Sequence, residues 1–309
     1  MITRRLFLAA LAAAQQQPDV TFSTGIRVVN ILASVRTKKG EIIRDLTKDD
    51  FALAENSRPQ TIRYFSQQTD LPLTIGILVD TSYSQGKVLE AERSASIAFI
   101  EDVLRTDKDK AFIYQFDTEV RTAAMLTNSL EKLGEAITYV ALPTRQQLEG
   151  SRTSAGTLLY DAIETAGKDI MSRVEGRKAV IVLTDGVDTG SSGSLSQAVD
   201  ACQRADTLIY GIYFTDSGFY TFGGGSGVNG RKVLQRMSED TGGRFFEVTK
   251  KESIGQIYAA IQEELRSQYN IGYSSDVPVT RPEFRALHLS TTRPNLIVQA
   301  RDRYWAAAK

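Results

Sequence analysis

The sequence predicts an α/β protein: a doubly wound, mostly parallel sheet with helices on both faces, inserted in a small β-sandwich built from the amino- and carboxyl-terminal strands. Three observations predict it. The run at 73–79, LTIGILV, and its counterpart at 179–183, AVIVL, lack polar alternation, the pattern of strands covered on both faces. Between 71 and 266 strand-like and helix-like stretches alternate, which implies parallel strands joined by crossover helices. Both ends of the chain carry strand patterns alone, and each end is too short to bury a stable core by itself.

The first fourteen residues, MITRRLFLAALAAA, have two arginines, a short apolar run and small residues ending Ala12-Ala13-Ala14. That is the layout of an export signal with an A-x-A cleavage site, and the run is too short to span a bilayer. The segment 3–8, TRRLFL, also resembles a twin-arginine signal. A periplasmic or extracellular location is therefore expected. No cysteine follows the cleavage site, so a lipoprotein anchor is not indicated. Removal of Arg4 and Arg5 takes the charge balance from 37 basic and 37 acidic residues to 35 against 37. Nothing in so even a balance points to nucleic acid or to an acidic membrane surface. With 42% hydrophobic and 24% charged residues, the composition is that of an ordinary globular chain.

The expected boundaries are a signal at 1–14, amino-terminal strands within 20–70, an α/β domain at 71–266, and carboxyl-terminal strands at 267–305 that complete the first module. In the amino-terminal part, 26–36 and 61–65 read as strands. Turns are expected at 38–40 (KKG) and 56–59 (NSRP). Residues 47–50, TKDD, read as a short capped helical turn leading into a strand at 51–54. In the central part, helices are expected at 87–104, 130–142, 158–171, 195–205, 231–241 and 253–267. The strands at 111–116 and 122–126 turn at Asp117-Thr118-Glu119, the second one antiparallel at the sheet edge. A further strand is expected at 208–214. The last three strands are expected at 269–273, 284–290 and 295–300.

The chemistry lies where the buried runs stop. After 73–79 come Asp80, Ser82 and Ser84 at alternate positions, so one tight loop can aim a carboxylate and two hydroxyls at a single point. After 179–183 comes Thr184-Asp185-Gly186. Between them, Gly156-Thr157 leads into a helical stretch. Taken singly, these are the residues of turns and helix caps. Together they place oxygen side chains from three segments at one edge of one sheet, and ligand sites in such sheets lie outside the carboxyl ends of the strands. An oxygen-only set suits a hard divalent cation such as Mg²⁺, which takes six oxygens at roughly 2.0–2.1 Å and keeps some of its waters.

The order DxSxS, then GT followed by LYDAI, then LTDG resembles the metal-ion-dependent adhesion site of the von Willebrand factor type A (VWA) family over about 71–264. Tyr83 and Gln85 stand where many members have Gly and Met. More loosely, the whole chain resembles bacterial secreted VWFA-related proteins. The resemblance implies that Ser82, Ser84 and Thr157 hold the cation, Mg²⁺ or Mn²⁺, through their hydroxyls. It also implies that Asp80 and Asp185 bind it directly or through water. A remaining position would then take an Asp or Glu carboxylate of a protein partner, as in adhesion or an envelope scaffold. The residues themselves leave two other readings open, a metal-assisted hydrolase and a purely structural metal. No general base is apparent beside the site and two carboxylates are few for a two-metal hydrolase, so no enzyme is expected.

Other signals carry less. Cys202, the single cysteine, reads as a small core residue, and His288, the single histidine, as an exposed strand residue. Neither a zinc cluster nor a Ser-His-Asp triad can be assembled from them. The stretch 222–227, FGGGSG, lacks the ending of a phosphate loop and reads as a flexible surface loop over the same sheet edge. With 143–155, Tyr83 and Gln85, the segment 219–229 is expected to form the rim of the site.

Overall fold

The computed structural model describes residues 28–67, 71–86, 88–144, 156–214 and 226–307. The expected export signal, the part of the expected rim at 145–155 and most of the glycine-rich stretch lie outside the described residues. In chain order the elements are β1 (Val29–Thr37), β2 (Phe51–Glu55), β3 (Arg58–Gln60), β4 (Ile62–Ser66), β5 (Leu73–Asp80), α1 (Leu89–Val103), β6 (Lys110–Phe116), β7 (Val120–Thr127) and α2 (Leu130–Tyr139). They continue with α3 (Leu159–Thr165), β8 (Arg177–Thr184), α4 (Leu195–Arg204), β9 (Leu208–Tyr213), α5 (Ser226–Thr241), β10 (Phe245–Glu247) and α6 (Ile254–Leu265). Four strands close the chain: β11 (Tyr269–Tyr273), β12 (Glu283–Thr291), β13 (Leu296–Ala300) and β14 (Arg303–Ala306).

The central sheet has the order β10-β9-β8-β5-β6-β7. All neighbours are parallel except β7, which runs antiparallel to β6 at the edge. The chain winds outward from β5 through β6 to β7, then returns and winds the other way from β8 to β10. The reversal therefore falls between β5 and β8, whose residues are buried along their whole length. Their alternate side chains feed two cores. Ile75, Ile77, Val79 and Ile181 pack with α1, α2 and α6 residues such as Phe99, Leu133 and Ile257. Leu78, Val180 and Val182 pack on the other face with α3, α4 and α5 residues such as Ile163, Val199 and Leu234. Each such side chain contributes about 1.5–3 kcal/mol by leaving water. Gly76 is required for this packing, because a Cβ there would sit 2.4 Å from Cζ of Phe112.

The two ends of the chain form two antiparallel sheets, β13-β1-β11-β4 and β14-β12-β2-β3. Amino- and carboxyl-terminal strands alternate in them: β1 lies between β11 and β13, and β2 pairs with β12. One core, including Ile31, Val35, Phe51, Leu53, Tyr269, Tyr273, Leu287 and Tyr304, draws on both sheets. Within it the buried pair Arg285–Glu55, 3.1 Å apart, is satisfied by Tyr273, Tyr304 and Ser275. This module is tied to the central sheet through Glu264 at the end of α6, which accepts hydrogen bonds from Ser34 Oγ of β1 at 3.0 Å and from Tyr210 of β9 at 3.3 Å.

Local differences from expectation have physical reasons. The expected turn 56–59 is tighter: Asn56 and Ser57 take positive φ of 46° and 65°, the two-residue hairpin form. Arg58 and Pro59 already belong to β3, an edge strand, where a missing N–H costs no ladder bond. The helix expected at 231–241 begins at Ser226. Ser226, Gly227, Val228 and Asn229 are therefore helical rather than part of a rim loop. The helix expected at 158–171 is regular only to Thr165 and then widens into a π turn (Ala166–Ile170). The short strands β3, β10 and β14 carry no pattern long enough to be seen in the sequence. Cys202 is buried and His288 exposed, as expected.

Candidate metal centre

Each site residue stands at the carboxyl edge of β5 or β8, or on the loop before α3. Asp80 is the last residue of β5 and fully buried. Its Oδ1 accepts the Ser82 N–H at 2.9 Å, which closes the turn and brings the two serines round. Its Oδ2 accepts the Thr184 hydroxyl at 2.5 Å, across from the end of β8. Ser82 and Ser84 face each other with hydroxyls 3.0 Å apart. Asp185 follows β8, is 2% exposed, and accepts the Val187 N–H at 3.0 Å. Burial first, and the Asp185 charge second, push the Asp80 carboxyl up to about 7. Two carboxylates held near each other at the buried ends of adjacent strands are stabilised by a cation and repel without one.

Thr157 comes to this edge through the loops around it. Its N–H donates to Thr189 Oγ1 at 2.9 Å, and its carbonyl accepts from the Thr189 N–H at 3.1 Å. The N–H groups at the start of α3 are capped by the same loop after β8: Tyr160 N–H donates to Asp188 and Asp161 N–H to Ser191 Oγ. The N-cap position itself is Leu158, so the Thr157 hydroxyl is not engaged in capping. Thr157 is 7% exposed.

Asp117, expected only as a turn residue, joins two of the three segments. Its side chain accepts from Thr81 Oγ1 at 2.7 Å, between Asp80 and Ser82, and pairs with Arg121. Its carbonyl accepts from the N–H of Leu158 at 2.9 Å, next to Thr157. A buried aspartate at a strand end, followed four residues on by an arginine, was the signal that could have marked it. On the third segment, Gly186 has φ +72° and its Cα lies against Gly230 of α5, where a Cβ would come 2.0 Å from the Asp185 carbonyl oxygen. The Asp185 turn and the start of α5 can be this close only because both residues are glycine.

Two residues differ from the sequence reading. Gln85 is fully buried and so cannot belong to the rim; Tyr83, 49% exposed, can. Glu92, in the first turn of α1, is also buried, and burial first and the Asp80 charge second hold its carboxyl well above the usual carboxylate range. Sequence reading passed it over as one charged residue among several on a helix. A cavity of about 360 Å³ between the β-module and the amino ends of β8 and β9 lies at the opposite edge of the sheet.

The donor set fits a hard divalent cation. It consists of two carboxylates and three hydroxyls, all oxygen, at the winding reversal of the sheet, and no cluster of three or more His, Cys, Asp or Glu side chains suited to a metal occurs among the described residues.

A family model for the von Willebrand factor type A domain matches residues 74–260, more than half of the chain. No curated protein matches it. Among solved structures, the conserved hypothetical protein BatB from Bacteroides thetaiotaomicron is 18% identical with a TM-score of 0.45. The alignment covers 62% of this chain and 97% of that one. Proximal thread matrix protein 1 from the mussel byssus is 14% identical with a TM-score of 0.49, covering 69% and 51%. The VWA domain of SpRpn10 is 11% identical with a TM-score of 0.42, covering 60% and 93%.

Proposed function

Since the chain belongs to the von Willebrand factor type A domain family, we propose that it is an exported, Mg²⁺- or Mn²⁺-dependent protein-binding module. Asp80, Ser82, Ser84, Thr157 and Asp185 hold the cation, and an acidic side chain of the partner completes its shell. The observation that carries this reading is the convergence of three loops on one oxygen-lined edge, with Asp80 pushed up to about 7 beside Asp185. When bound, the cation supplies a positive centre in a crevice partly closed to water. Asp80 and Asp185 at most neutralise it, and the three hydroxyls add no charge. An anionic oxygen arriving from outside is therefore favoured.

The protein's own residues arrange this. Thr184 and the Ser82 N–H orient the Asp80 carboxylate, Asp117 fixes the first loop against the second, and the Asp188–Ser191 loop fixes the second against the third. Exposed Tyr83 stands beside the approach and can contribute to partner choice. Binding is preferred to hydrolysis because two carboxylates are few for a two-metal hydrolase, which gathers several around its ions.

The test is capture of partner protein from envelope extract by the full chain, with Mg²⁺ and with EDTA. The reading expects capture that EDTA abolishes and that Thr157→Ala greatly weakens without unfolding the protein. Undiminished capture under both conditions would leave the metal a structural role.

A further inference from the structure

Glu92 lies in the interior without the partners a buried carboxyl needs. It is 1% exposed, and neither carboxyl oxygen has a hydrogen-bond partner among the described residues. Leaving such a group unpaired is costly, and buried polar atoms are satisfied by protein, ordered water or an ion. The adjacent Arg93 is turned away, toward Glu90 and the Val140 carbonyl. The neighbouring hydroxyl of Tyr258 is already taken by Ser96 at 2.8 Å. The Val88 N–H donates to the Gln85 carbonyl at 3.0 Å and the Glu92 N–H to the Val88 carbonyl at 2.9 Å, so α1 runs straight on from the loop that carries Ser82 and Ser84, with the buried Glu92 in its first turn. Burial and then the charge of Asp80 hold its carboxyl well above the usual carboxylate range. Gln85 repeats the pattern. It is fully buried, its Nε2 donates to Ser84 Oγ at 3.4 Å, and its Oε1 has no partner among the described residues. Three buried side-chain oxygens without a hydrogen-bond partner among the described residues thus lie behind the loop that carries Asp80, Ser82 and Ser84.

We propose that Glu92 and Gln85 form the inner wall of the metal site, their oxygens accepting hydrogen bonds from water carried by the cation. This rests on the metal-binding reading above and deepens it: the site takes a partly hydrated divalent cation, not one stripped to protein oxygens. Mg²⁺ dehydrates reluctantly and keeps several waters, and a wall of acceptors gives those waters partners that the hydroxyl ligands cannot. Glu92 acts through water and is a positioning residue. Residues that orient what surrounds a metal typically change its affinity 10–100-fold.

The experiment titrates Mn²⁺ into the full chain by calorimetry and measures melting temperature in EDTA, for wild type, Glu92→Leu, Glu92→Gln and Asp80→Asn. Glu92→Leu is expected to bind Mn²⁺ at least tenfold more weakly while melting in EDTA no lower than wild type. Glu92→Gln, which keeps an acceptor oxygen, is expected to recover part of the affinity. A merely structural glutamate would lose stability and affinity together, and that outcome overturns the inference. So does a Leu variant that binds within twofold of wild type. If Asp80→Asn abolishes binding while the Glu92 variants bind normally, only this inference falls. If wild type itself does not bind Mn²⁺, the metal-binding reading falls and this one with it.

Discussion

Asp80→Asn is expected to stabilise the metal-free protein while abolishing its metal binding. Asp80 is fully buried and its carboxyl is pushed from 3.8 to about 7 by burial and then by Asp185. The folded state thus holds a proton that the unfolded chain gives up, and stability falls as pH rises from about 4 to about 7. The full difference corresponds to about 4 kcal/mol, at about 1.4 kcal/mol per pH unit. Asparagine removes the charge but keeps the shape. Its Oδ1 can accept the Ser82 N–H, and its Nδ2 can donate to Thr184 Oγ1, which now donates to Asp80. Rearrangement of the Thr184 hydroxyl returns part of the gain, so about 1–3 kcal/mol of net stabilisation is expected at pH 8 in EDTA. At pH 4 the carboxyl is neutral in the folded wild type and the difference should nearly vanish. Urea denaturation at both pH values measures it. A variant less stable than wild type at pH 8 in EDTA would refute the claim that the buried Asp80 charge is held here at a net cost.

Three other substitutions or truncations follow from the geometry. Gly230→Ala places a Cβ 2.0 Å from the Asp185 carbonyl oxygen. It should cost about 1–3 kcal/mol and weaken Mn²⁺ binding, read by denaturation and calorimetry; retention of both would mean that the α5 contact does not position Asp185. Asp117→Ala removes the acceptor for Thr81 and Arg121. It should lower stability by about 1–3 kcal/mol and reduce Mn²⁺ affinity, with native-like circular dichroism showing that the fold persists. Ending the chain at Arg266 removes β11, β12 and β13, which pair with β4, β2 and β1. Limited proteolysis should then cut within 29–66 well before the central sheet, and equal resistance to the full chain would contradict the pairing.

The central sheet was legible because β5 and β8 are long, uninterrupted apolar runs, and only a doubly covered parallel sheet hides such strands on both faces. The edge strand β7 was legible from its short spacing after β6 and the Asp117-Thr118-Glu119 turn. Strands β3, β10 and β14 were not, since three or four residues carry no period and are held by the neighbour they pair with. The five oxygen residues could be named because their identity and order are local. The residues that support them are brought together only by tertiary contact. Asp117 reads as a turn and Asp188 as a loop residue. Gln85 reads as part of an exposed loop until the packing of α1 encloses it. Glu92 illustrates the limit most clearly, since a glutamate in the first turn of a helix is ordinarily solvated and favoured by the helix dipole, and nothing in the local pattern says that this turn faces inward.

The most direct measurement is anomalous scattering at the manganese edge from crystals of the full chain grown with MnCl₂. The account predicts one peak at the carboxyl edge of the central sheet, between the oxygens of Asp80, Ser82, Ser84, Thr157 and Asp185. A Mn²⁺-containing crystal with no peak there, or with its peak on other residues, would contradict it.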